Sequence, residues 1–447
     1  FSITPVEVAP VKTKHRRIKT ALPVPESLAI LDRIHKYESS NVKDQLPIIW
    51  DSASGHRIFD KWGNAWIDMT STIFVTNSGH AHPRIVEAVK AQAEKLLHSY
   101  SYPTEIRARY LEKLIAITPS YLEKASLYSA GTEAIERAIK LARYYGKRFK
   151  PRRKIIIAWE GNYHGKTMGS QMVSGQHLDK DWIGYLDPNI VHLPFPFPWV
   201  LEKRQISGAD LAIEHLELLS SKFLVSEDNI AAFVAESFQG WGALFFPESY
   251  IQVLRKWSRD RDILMIFDEI QAGFGRCGTL FAYEQFGIKP DIMCCAKGIG
   301  GGIPIGAILT STKIAECMQL GSHGSTFGGN PLACAVAEQV MTMLSKKSLL
   351  NGVKKKEKIF LNELKNINKE FKCFGSIRSS GLWIGCKLNV KDNFNLDTVM
   401  KACYAKGLMI LKANNDTIRI APSLIIEDRV ILKGLKILRE VIQEQLR

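Results

Sequence analysis

Short apolar runs alternate with amphipathic segments along the chain from about residue 105 onward. Each run has four to seven residues and is rich in branched side chains, as is typical of buried strands. The segments between the runs carry apolar residues at helical spacing. This alternation predicts right-handed βαβ units, and therefore an α/β, doubly wound core with a mostly parallel central sheet and helices on both faces. The predicted strands are 125–129, 154–158, 230–236, 263–267, 292–295 and 305–310.

The two ends of the chain follow a different pattern. Residues 48–68 alternate apolar and polar positions around Gly55 and Gly63, which predicts a small antiparallel meander. After about residue 335, a long helical pattern precedes two apolar runs, at 379–386 and 417–422, and a closing helix. We therefore predict three parts. They are an N-terminal segment that contributes to the small domain (1–75), a large domain (76–335) and a C-terminal small α+β domain (336–447).

The composition is that of a globular protein. The chain has 447 residues, of which 46% are apolar and 23% are charged. No apolar run has the length of a membrane span, and the basic cluster 12–19 stands where a signal peptide would have its apolar core. The formal charge is +15, but the Lys and Arg residues are scattered, which favours a solvated surface over a nucleic-acid interface. We expect a cytoplasmic protein that binds neither membrane nor nucleic acid.

The residues that commonly bind metals do not form a metal-binding pattern. The eight cysteines include no CxxC pair and lie mostly inside apolar segments, so we expect reduced core residues and not a disulfide framework or a zinc site. His80 and His82 could bind a metal, but no cysteine or carboxylate partner is close to them in sequence. This favours turn and packing roles for both histidines, and we predict no metal.

Two of the predicted strands end in groups of opposite charge. The strand 263–267 runs into Asp268, and the strand 292–295 is followed by Lys297 and several glycines. The carboxyl ends of parallel strands line one crevice, so we expect both groups to face one pocket. This pair suits pyridoxal phosphate (PLP), whose aldehyde forms an imine with a lysine and whose ring nitrogen needs an acid to hold its proton. The alternative is that Asp268 only caps its strand and Lys297 lies on the surface.

A third feature suggests a phosphate site. Gly131 and Thr132 open a strongly periodic helix directly after the strand 125–129. The N–H groups and the dipole at such a helix start favour a dianionic phosphate. An ordinary helix N-cap explains Thr132 equally well. The glycines at 298–302 are similar to a dinucleotide fingerprint, but they follow a lysine and do not open an early βαβ unit.

Together these motifs resemble the class III aminotransferases, a branch of the fold-type-I PLP enzymes that includes 4-aminobutyrate and ornithine aminotransferases. The most specific segment is Phe267-Asp-Glu-Ile-Gln-Ala-Gly-Phe-Gly-Arg-Cys-Gly278 followed by Pro290-Asp-Ile-Met-Cys-Cys-Ala-Lys297-Gly. The resemblance runs from about residue 50 to 430. It implies a fold-type-I PLP-dependent transferase with a small α+β domain.

The resemblance also implies roles for individual residues around the cofactor. Lys297 would bind the cofactor covalently and shuttle a proton, Asp268 would pair with the ring nitrogen, and Gln271 would approach the phenolic oxygen. The remaining residues that it assigns to the cofactor pocket are Gly131 and Thr132 at the phosphate, Tyr163 against the ring, and Glu236.

Two further residues concern the partner subunit and the substrate. Thr326, in His323-Gly-Ser-Thr-Phe-Gly-Gly-Asn330, matches the segment through which a neighbouring subunit reaches the phosphate. The resemblance therefore implies a homodimer with shared active sites. Arg419 matches the arginine that grips the α-carboxylate of glutamate or 2-oxoglutarate through a bidentate contact.

Two departures from the family pattern concern the substrate. Trp241 stands where the 4-aminobutyrate and ornithine enzymes carry a glutamate that shields the arginine. We expect Arg419 either to stay available or to stack on the indole of Trp241. Lys166 stands where 4-aminobutyrate enzymes place an arginine, which keeps the charge but loses the planar fork. Both changes weaken the match to 4-aminobutyrate and leave amino transfer intact.

We therefore predict a PLP-dependent aminotransferase that works by ping-pong. It would move an amine from an ω-amino acid, or another primary amine, to a 2-oxo acid such as 2-oxoglutarate or pyruvate. The alternatives are an aminomutase or racemase on the same scaffold, an amino-sugar aminotransferase, and a non-catalytic cofactor-binding regulator. Consumption of the 2-oxo acid distinguishes the transferases from the isomerases, and a regulator would carry an added DNA-binding module.

Overall fold

The computed structural model describes residues 3–39, 46–176, 180–240, 242–389, 394–414 and 416–446. The chain divides into two compact units. Unit 1 contains Phe1–His82 and Gly352–Arg447, and unit 2 contains Pro83–Asn351. The predicted domain boundaries lie near residues 75 and 335, and the assignment of domain roles stays a prediction.

The N-terminal part of unit 1 contains the predicted meander. Strand β5 (Ala65–Asp68) pairs antiparallel with β4 (Arg57–Phe59) and with β2 (Arg17–Ile18). Strand β4 also pairs antiparallel with β3 (Ser52–Ser54), and β1 (Val11–Lys12) pairs antiparallel with β2. The turn α2 has a left-handed backbone. His80 Nε2 lies 2.7 Å from Asp68 Oδ2, so this histidine has a carboxylate partner twelve positions earlier in the chain. The elements are β1 (Val11–Lys12), β2 (Arg17–Ile18), α1 (Leu28–Tyr37), β3 (Ser52–Ser54), β4 (Arg57–Phe59), β5 (Ala65–Asp68) and α2 (Ser71–Phe74).

Unit 2 contains the predicted alternation of strands and helices. Its elements are α3 (Pro83–Ala93), α4 (Glu105–Ala116), β6 (Lys124–Tyr128), α5 (Gly131–Lys147), β7 (Ile155–Trp159), α6 (Met168–Val173), β8 (Ile190–Leu193), α7 (Pro198–Arg204), α8 (Gly208–Ser221), β9 (Ile230–Glu236), β10 (Phe238–Gln239), β11 (Leu244–Phe245), α9 (Glu248–Arg259), β12 (Leu264–Asp268), β13 (Ile292–Cys295), β14 (Gly306–Thr310), α10 (Thr312–Ala315) and α11 (Pro331–Leu344).

The central sheet of unit 2 is mostly parallel, as predicted. Within the described residues it has seven strands in the order β6-β14-β13-β12-β9-β7-β8. Strand β14 is antiparallel to both of its neighbours, and the other pairs are parallel. The apolar side of α5, which includes Ala134, Ile135 and Ala138, is buried against Ala232, Ile266 and other residues of these strands. This packing fixes the start of α5 at the edge where β6 ends.

Two features of unit 2 differ from the sequence-based expectation. Strand β8 lies at the sheet edge, and its partly exposed residues, which include His192, give no apolar run. The segment 194–198 belongs to no predicted strand, yet Phe195 is buried and its ring lies 4.7 Å from that of Phe246. The aromatic side chain therefore decides the placement of this proline-rich segment.

The C-terminal part of unit 1 is an α+β arrangement. The apolar run 379–386 is interrupted by a turn at Gly381, whose φ is 57°, so its two ends belong to different strands. Four described strands form an antiparallel sheet in the order β15 (Phe374–Ser380), β16 (Trp383–Leu388), β19 (Thr417–Ile420) and β18 (Leu411–Lys412). A further strand, β17 (Leu408–Met409), pairs parallel with β5. The elements are α12 (Lys347–Phe371), β15 (Phe374–Ser380), β16 (Trp383–Leu388), α13 (Leu396–Ala405), β17 (Leu408–Met409), β18 (Leu411–Lys412), β19 (Thr417–Ile420) and α14 (Asp428–Gln445).

The cysteines carry free thiols and are mostly buried. All eight cysteines lie in the described residues with free thiols, and seven are buried, whereas Cys317 is partly exposed. Across the described ranges, no helix is both long and apolar enough to cross a membrane. In the same ranges, no three or more His, Cys, Asp or Glu side chains are grouped so that they could hold a metal ion.

Candidate active site

Three adjacent strands deliver acidic and basic groups to one edge of the sheet. Strand β9 ends in Glu236 and β12 ends in Asp268, and these two residues are direct partners in the parallel ladder. Strand β13, on the other side of β12, ends two residues before Lys297. Lys297 is partly buried and has a φ of 47°, a left-handed conformation that is rare for a residue with a side chain. Such backbone strain is often found at functional sites.

The carboxylate of Asp268 is buried and held in place. It is 4% exposed, and its Oδ1 accepts a hydrogen bond of 2.9 Å from the Ile270 N–H. Its Oδ2 lies 2.9 Å from Nδ1 of His164, whose side chain is 0% exposed. A proton on Nδ1 makes this contact a hydrogen bond to a charged acceptor. Nε2 of His164 is buried and has no hydrogen-bond partner among the described residues.

Glu236 is a second buried acid beside Asp268. It accepts hydrogen bonds from Gln271 Nε2 at 3.0 Å, from the Tyr163 N–H at 2.9 Å and from the Gly240 N–H at 3.3 Å. Burial, and then repulsion from the Asp268 carboxylate, raise the pKa of Glu236 to about 8, while Lys297 acts in the opposite direction. These two adjacent acids therefore favour a positively charged group, such as Lys297, in this pocket.

The start of α5 is shaped for close approach to the sheet edge. A Cβ atom on Gly131 would lie 2.8 Å from Cδ1 of Ile270, which is closer than real Cβ contacts. Thr132 is not the helix N-cap, because that position is Ala130. Oγ1 of Thr132 instead lies 2.7 Å from Oγ1 of Thr167 and 2.6 Å from Oγ of Ser170. At a helix start the first backbone N–H groups lack intrahelical acceptors, so these groups are available for an anion.

The other residues singled out in the sequence lie in different places. Tyr163 is partly buried, and Lys166 and Thr326 are exposed. Thr326 follows Ser325, whose Oγ lies 3.3 Å from Oγ of Ser129 just before α5. Trp241 lies outside the described residues, so the predicted contact of its indole with an arginine is not described.

Arg419 belongs to unit 1, on strand β19. Its Cζ atom lies 5.1 Å from the ring centroid of Phe74, in a cation–π contact. The sequence predicted that Arg419 either stays available or stacks on Trp241, and it gave no sign of the contact with Phe74.

His164 is the residue of this site that the sequence analysis missed. It lies in the segment Gly161-Asn-Tyr-His-Gly-Lys-Thr167, in which the resemblance gave roles only to Tyr163 and Lys166. A histidine directly after the aromatic residue of a glycine-flanked loop was the available signal. Its partner Asp268 is 104 residues away in sequence, so the contact depends on the folded sheet.

The described residues fit PLP, the cofactor that the resemblance implies. Asp268 and Glu236 are two adjacent buried acids, and a protonated ring nitrogen would supply the additional positive charge that they favour. Lys297 provides an amine within electrostatic range of Glu236, and the first turn of α5 provides backbone N–H groups for a phosphate.

Comparison with known proteins agrees with this interpretation. The family model for Aminotransferase class-III matches residues 38–442. The acetylornithine/succinyldiaminopimelate aminotransferase of Yersinia pestis is 38% identical over 385 residues, which cover 85% of this chain and 89% of that protein. The acetylornithine aminotransferase of Vibrio cholerae is 38% identical over 384 residues, which cover 85% of this chain and 90% of that protein.

Solved structures show the same fold. The crystal structure of acetylornithine aminotransferase from Elizabethkingia anophelis matches with a TM-score of 0.79 and 28% identity, and the match covers 94% of this chain and 99% of that chain. The predicted fold class is thereby confirmed. The chain belongs to the class III aminotransferase family and is a PLP-dependent aminotransferase of fold type I.

Proposed function

We propose that this enzyme transfers the terminal amine of an ornithine-type ω-amino acid, such as N-acetylornithine, to 2-oxoglutarate. The observation that carries this proposal is the 38% identity, over 85% of the chain, to an acetylornithine/succinyldiaminopimelate aminotransferase. The donor class agrees with the ω-amino acids that the sequence pattern implied. Lys166 weighs against 4-aminobutyrate itself, because a lysine cannot reproduce the planar fork of the arginine in the enzymes that use it.

The proposed roles of the pocket residues follow from their contacts. When bound, PLP supplies an aldehyde that captures the substrate amine and a ring that withdraws electrons. Asp268 holds the proton at the ring nitrogen, and His164 Nδ1 fixes the orientation of the Asp268 carboxylate. Lys297 Nζ binds the cofactor and then moves the proton from the substrate carbon.

The remaining assigned residues bind and orient the cofactor or the substrate. Backbone N–H groups of Gly131 and Thr132 bind the phosphate at the start of the 17-residue helix α5. The Gln271 amide group donates one N–H to Glu236, and its second N–H would be available to the phenolic oxygen of the cofactor. Tyr163 would pack its ring on the cofactor, and Arg419 would bind a substrate carboxylate.

We also propose that the enzyme is a homodimer that shares its active sites. Unit 2 exposes large apolar side chains close to the Thr326 segment, since Phe327 is 61% exposed and its ring lies 5.3 Å from that of His98. Tyr102, in the segment that follows His98, is 76% exposed. Exposed apolar clusters of this kind favour a protein interface. Sedimentation velocity should give a dimer mass, and a monomer that turns over substrate at full rate would contradict the shared site.

The first experiment follows the cofactor spectrum of the purified enzyme. N-acetylornithine, ornithine, 4-aminobutyrate, a diamine and an amino sugar are added separately without any acceptor, and 2-oxoglutarate or pyruvate is then supplied. We expect N-acetylornithine to bleach the visible band and 2-oxoglutarate to restore it with formation of glutamate. An amine that is isomerised without consumption of a 2-oxo acid would refute the proposal in favour of an aminomutase.

A second experiment identifies the lysine that binds the cofactor. Borohydride reduction followed by peptide mass mapping should place the cofactor on Lys297, and Lys297→Ala should reduce turnover by at least about 10³-fold. Lys180 is the matched control, because it is also a lysine of unit 2 and its burial lowers its pKa to about 8. The Lys180→Ala variant should keep the label and the turnover. A label on Lys180 would refute the role of Lys297.

A further inference from the structure

The turn Ser71–Phe74 of unit 1 has an unusual backbone. Its four consecutive residues have φ values of 42°, 50°, 60° and 70°, and none of them is a glycine. The left-handed region is unfavourable for residues with side chains, and most of all for a β-branched residue such as Ile73. A run of this kind persists only where the surrounding structure holds it in place, and such strain is often associated with function.

Two hydrogen bonds connect this turn and the residues just before it to the end of strand β19. Ser71 Oγ donates to the Ala421 carbonyl at 2.7 Å, and the Ala421 N–H donates to the Met69 carbonyl at 2.8 Å. Ala421 follows directly after β19, and Arg419 lies two residues earlier on that strand. The strained turn and the arginine are therefore held in one fixed arrangement inside unit 1.

The strained turn presents the ring of Phe74 to Arg419. Phe74 is 0% exposed, and its ring centroid lies 4.2 Å from that of Trp383 on the neighbouring strand β16. The opposite partner of Arg419 in the β16–β19 ladder is Gly385, which lies on the same strand face as Trp383. The three side chains form a layer in which Trp383 supports Phe74, and Phe74 lies 5.1 Å from Arg419 Cζ.

We propose that Phe74 is a positioning residue that holds the Arg419 guanidinium in the orientation that binds a substrate carboxylate. This inference rests on the proposed function, in which Arg419 binds that carboxylate. A guanidinium that stacks on an aromatic ring keeps its in-plane donors, so stacking of Arg419 on Phe74 is compatible with a bidentate contact to a carboxylate. It also removes rotamer freedom from a long side chain before the substrate arrives.

The fixed orientation of Arg419 has a consequence for the chemical class of both substrates. An arginine held in this way serves as a fixed carboxylate site in both half-reactions, so donor and acceptor should each present a carboxylate to it. Weakening the contact should therefore raise the KM of both substrates and leave kcat nearly unchanged, because the ring acts on carboxylate binding through Arg419.

The test uses the dimeric, cofactor-loaded enzyme with N-acetylornithine and 2-oxoglutarate. Phe74→Leu should raise the KM for 2-oxoglutarate about tenfold with kcat within about twofold, and tenfold corresponds to about 1.4 kcal/mol. A series with one, two and three fluorine atoms on the Phe74 ring keeps the shape of the side chain and weakens the attraction of its face for a cation. We expect KM to rise stepwise along this series.

The controls separate positioning from packing. Phe360 is also a fully buried phenylalanine of unit 1, and Phe360→Leu should lower thermal stability without raising KM. If the fluorinated series leaves KM unchanged, or if Phe74→Leu shows the same profile as Phe360→Leu, the inference is overturned.

Failure of the proposed function gives a different result. If Arg419→Gln leaves the KM of both substrates unchanged, then Arg419 does not bind the carboxylate, and the positioning role is overturned with it. If Arg419→Gln raises KM but Phe74→Leu does not, only the inference about Phe74 is overturned. A wild-type enzyme that does not turn over 2-oxoglutarate refutes the proposed function itself.

Discussion

Replacing His164 with leucine tests the hydrogen bond that orients the Asp268 carboxylate. The change removes the 2.9 Å contact between Nδ1 and Oδ2 and leaves Asp268 with the bond from the Ile270 N–H. Leucine is apolar and fills a similar space, so the variant creates no unpaired polar group of its own. The remaining effect should fall on the carboxylate that pairs with the cofactor ring.

The size of the effect follows from the burial of both partners. The His164 side chain is 0% exposed and that of Asp268 is 4% exposed, so water cannot replace the lost bond. A hydrogen bond to a charged group contributes about 1.5–3 kcal/mol. At about 1.4 kcal/mol per tenfold change, the dissociation constant of PLP should rise about 10- to 140-fold. His164→Asn, which keeps a donor near the position of Nδ1, should recover part of this loss.

The assay titrates cofactor-free enzyme with PLP and follows the change in absorbance. His215 provides the matched control, because it is 4% exposed, belongs to unit 2 and has its Nδ1 2.8 Å from the hydroxyl of Tyr250. His215→Leu should lower stability but not cofactor affinity. If His164→Leu binds PLP within about twofold of the wild type, or if both variants lose affinity equally, the orienting role of His164 is wrong.

Two further predictions concern Glu236 and Gly131. The pKa of Glu236 is raised to about 8 from an ordinary 4.5, so the folded cofactor-free protein binds one more proton than the unfolded chain between these values. The contribution of Glu236 to the free energy of unfolding should therefore be most favourable below pH 4.5. This contribution should fall by a few kcal/mol as the pH rises to about 8. Urea denaturation should show this fall in the wild type and not in Glu236→Gln, and equal slopes in the two proteins would contradict it. In Gly131→Ala, the new methyl group would lie 2.8 Å from Cδ1 of Ile270, and we expect the dissociation constant of PLP to rise about tenfold through overpacking. Ile270→Val removes that atom and should restore part of the affinity in the double variant, whereas no change in Gly131→Ala would show that the close approach is unimportant.

The features that were predictable from sequence depend on local patterns. The apolar run of β12 ends in Asp268 and that of β13 is followed within two residues by Lys297, and parallel strands bring such ends to one edge. The order of the elements was sufficient to predict the mostly parallel sheet. Strand β14 pairs antiparallel with its neighbours, and its direction is not encoded in its own apolar run.

The features that were not predictable depend on contacts between distant residues. His164 reaches Asp268 across 104 positions, and its neighbours in sequence do not reveal that contact. Phe74 reads as part of an apolar segment, yet its ring lies against Arg419 because a left-handed turn directs it there. A pattern of apolar and polar residues carries no information about such a backbone.

The distribution of the thiols offers a way to observe the two units separately. Burial raises the pKa of the thiols of Cys373 and Cys403, both in unit 1, to about 12, and it also raises those of Cys294 and Cys295 in unit 2. A thiol reagent should thus reach Cys317 quickly in the native enzyme and the buried thiols only when their unit opens. Pulse labelling with peptide mapping would then record the opening rate of each unit in one experiment, without any engineered probe.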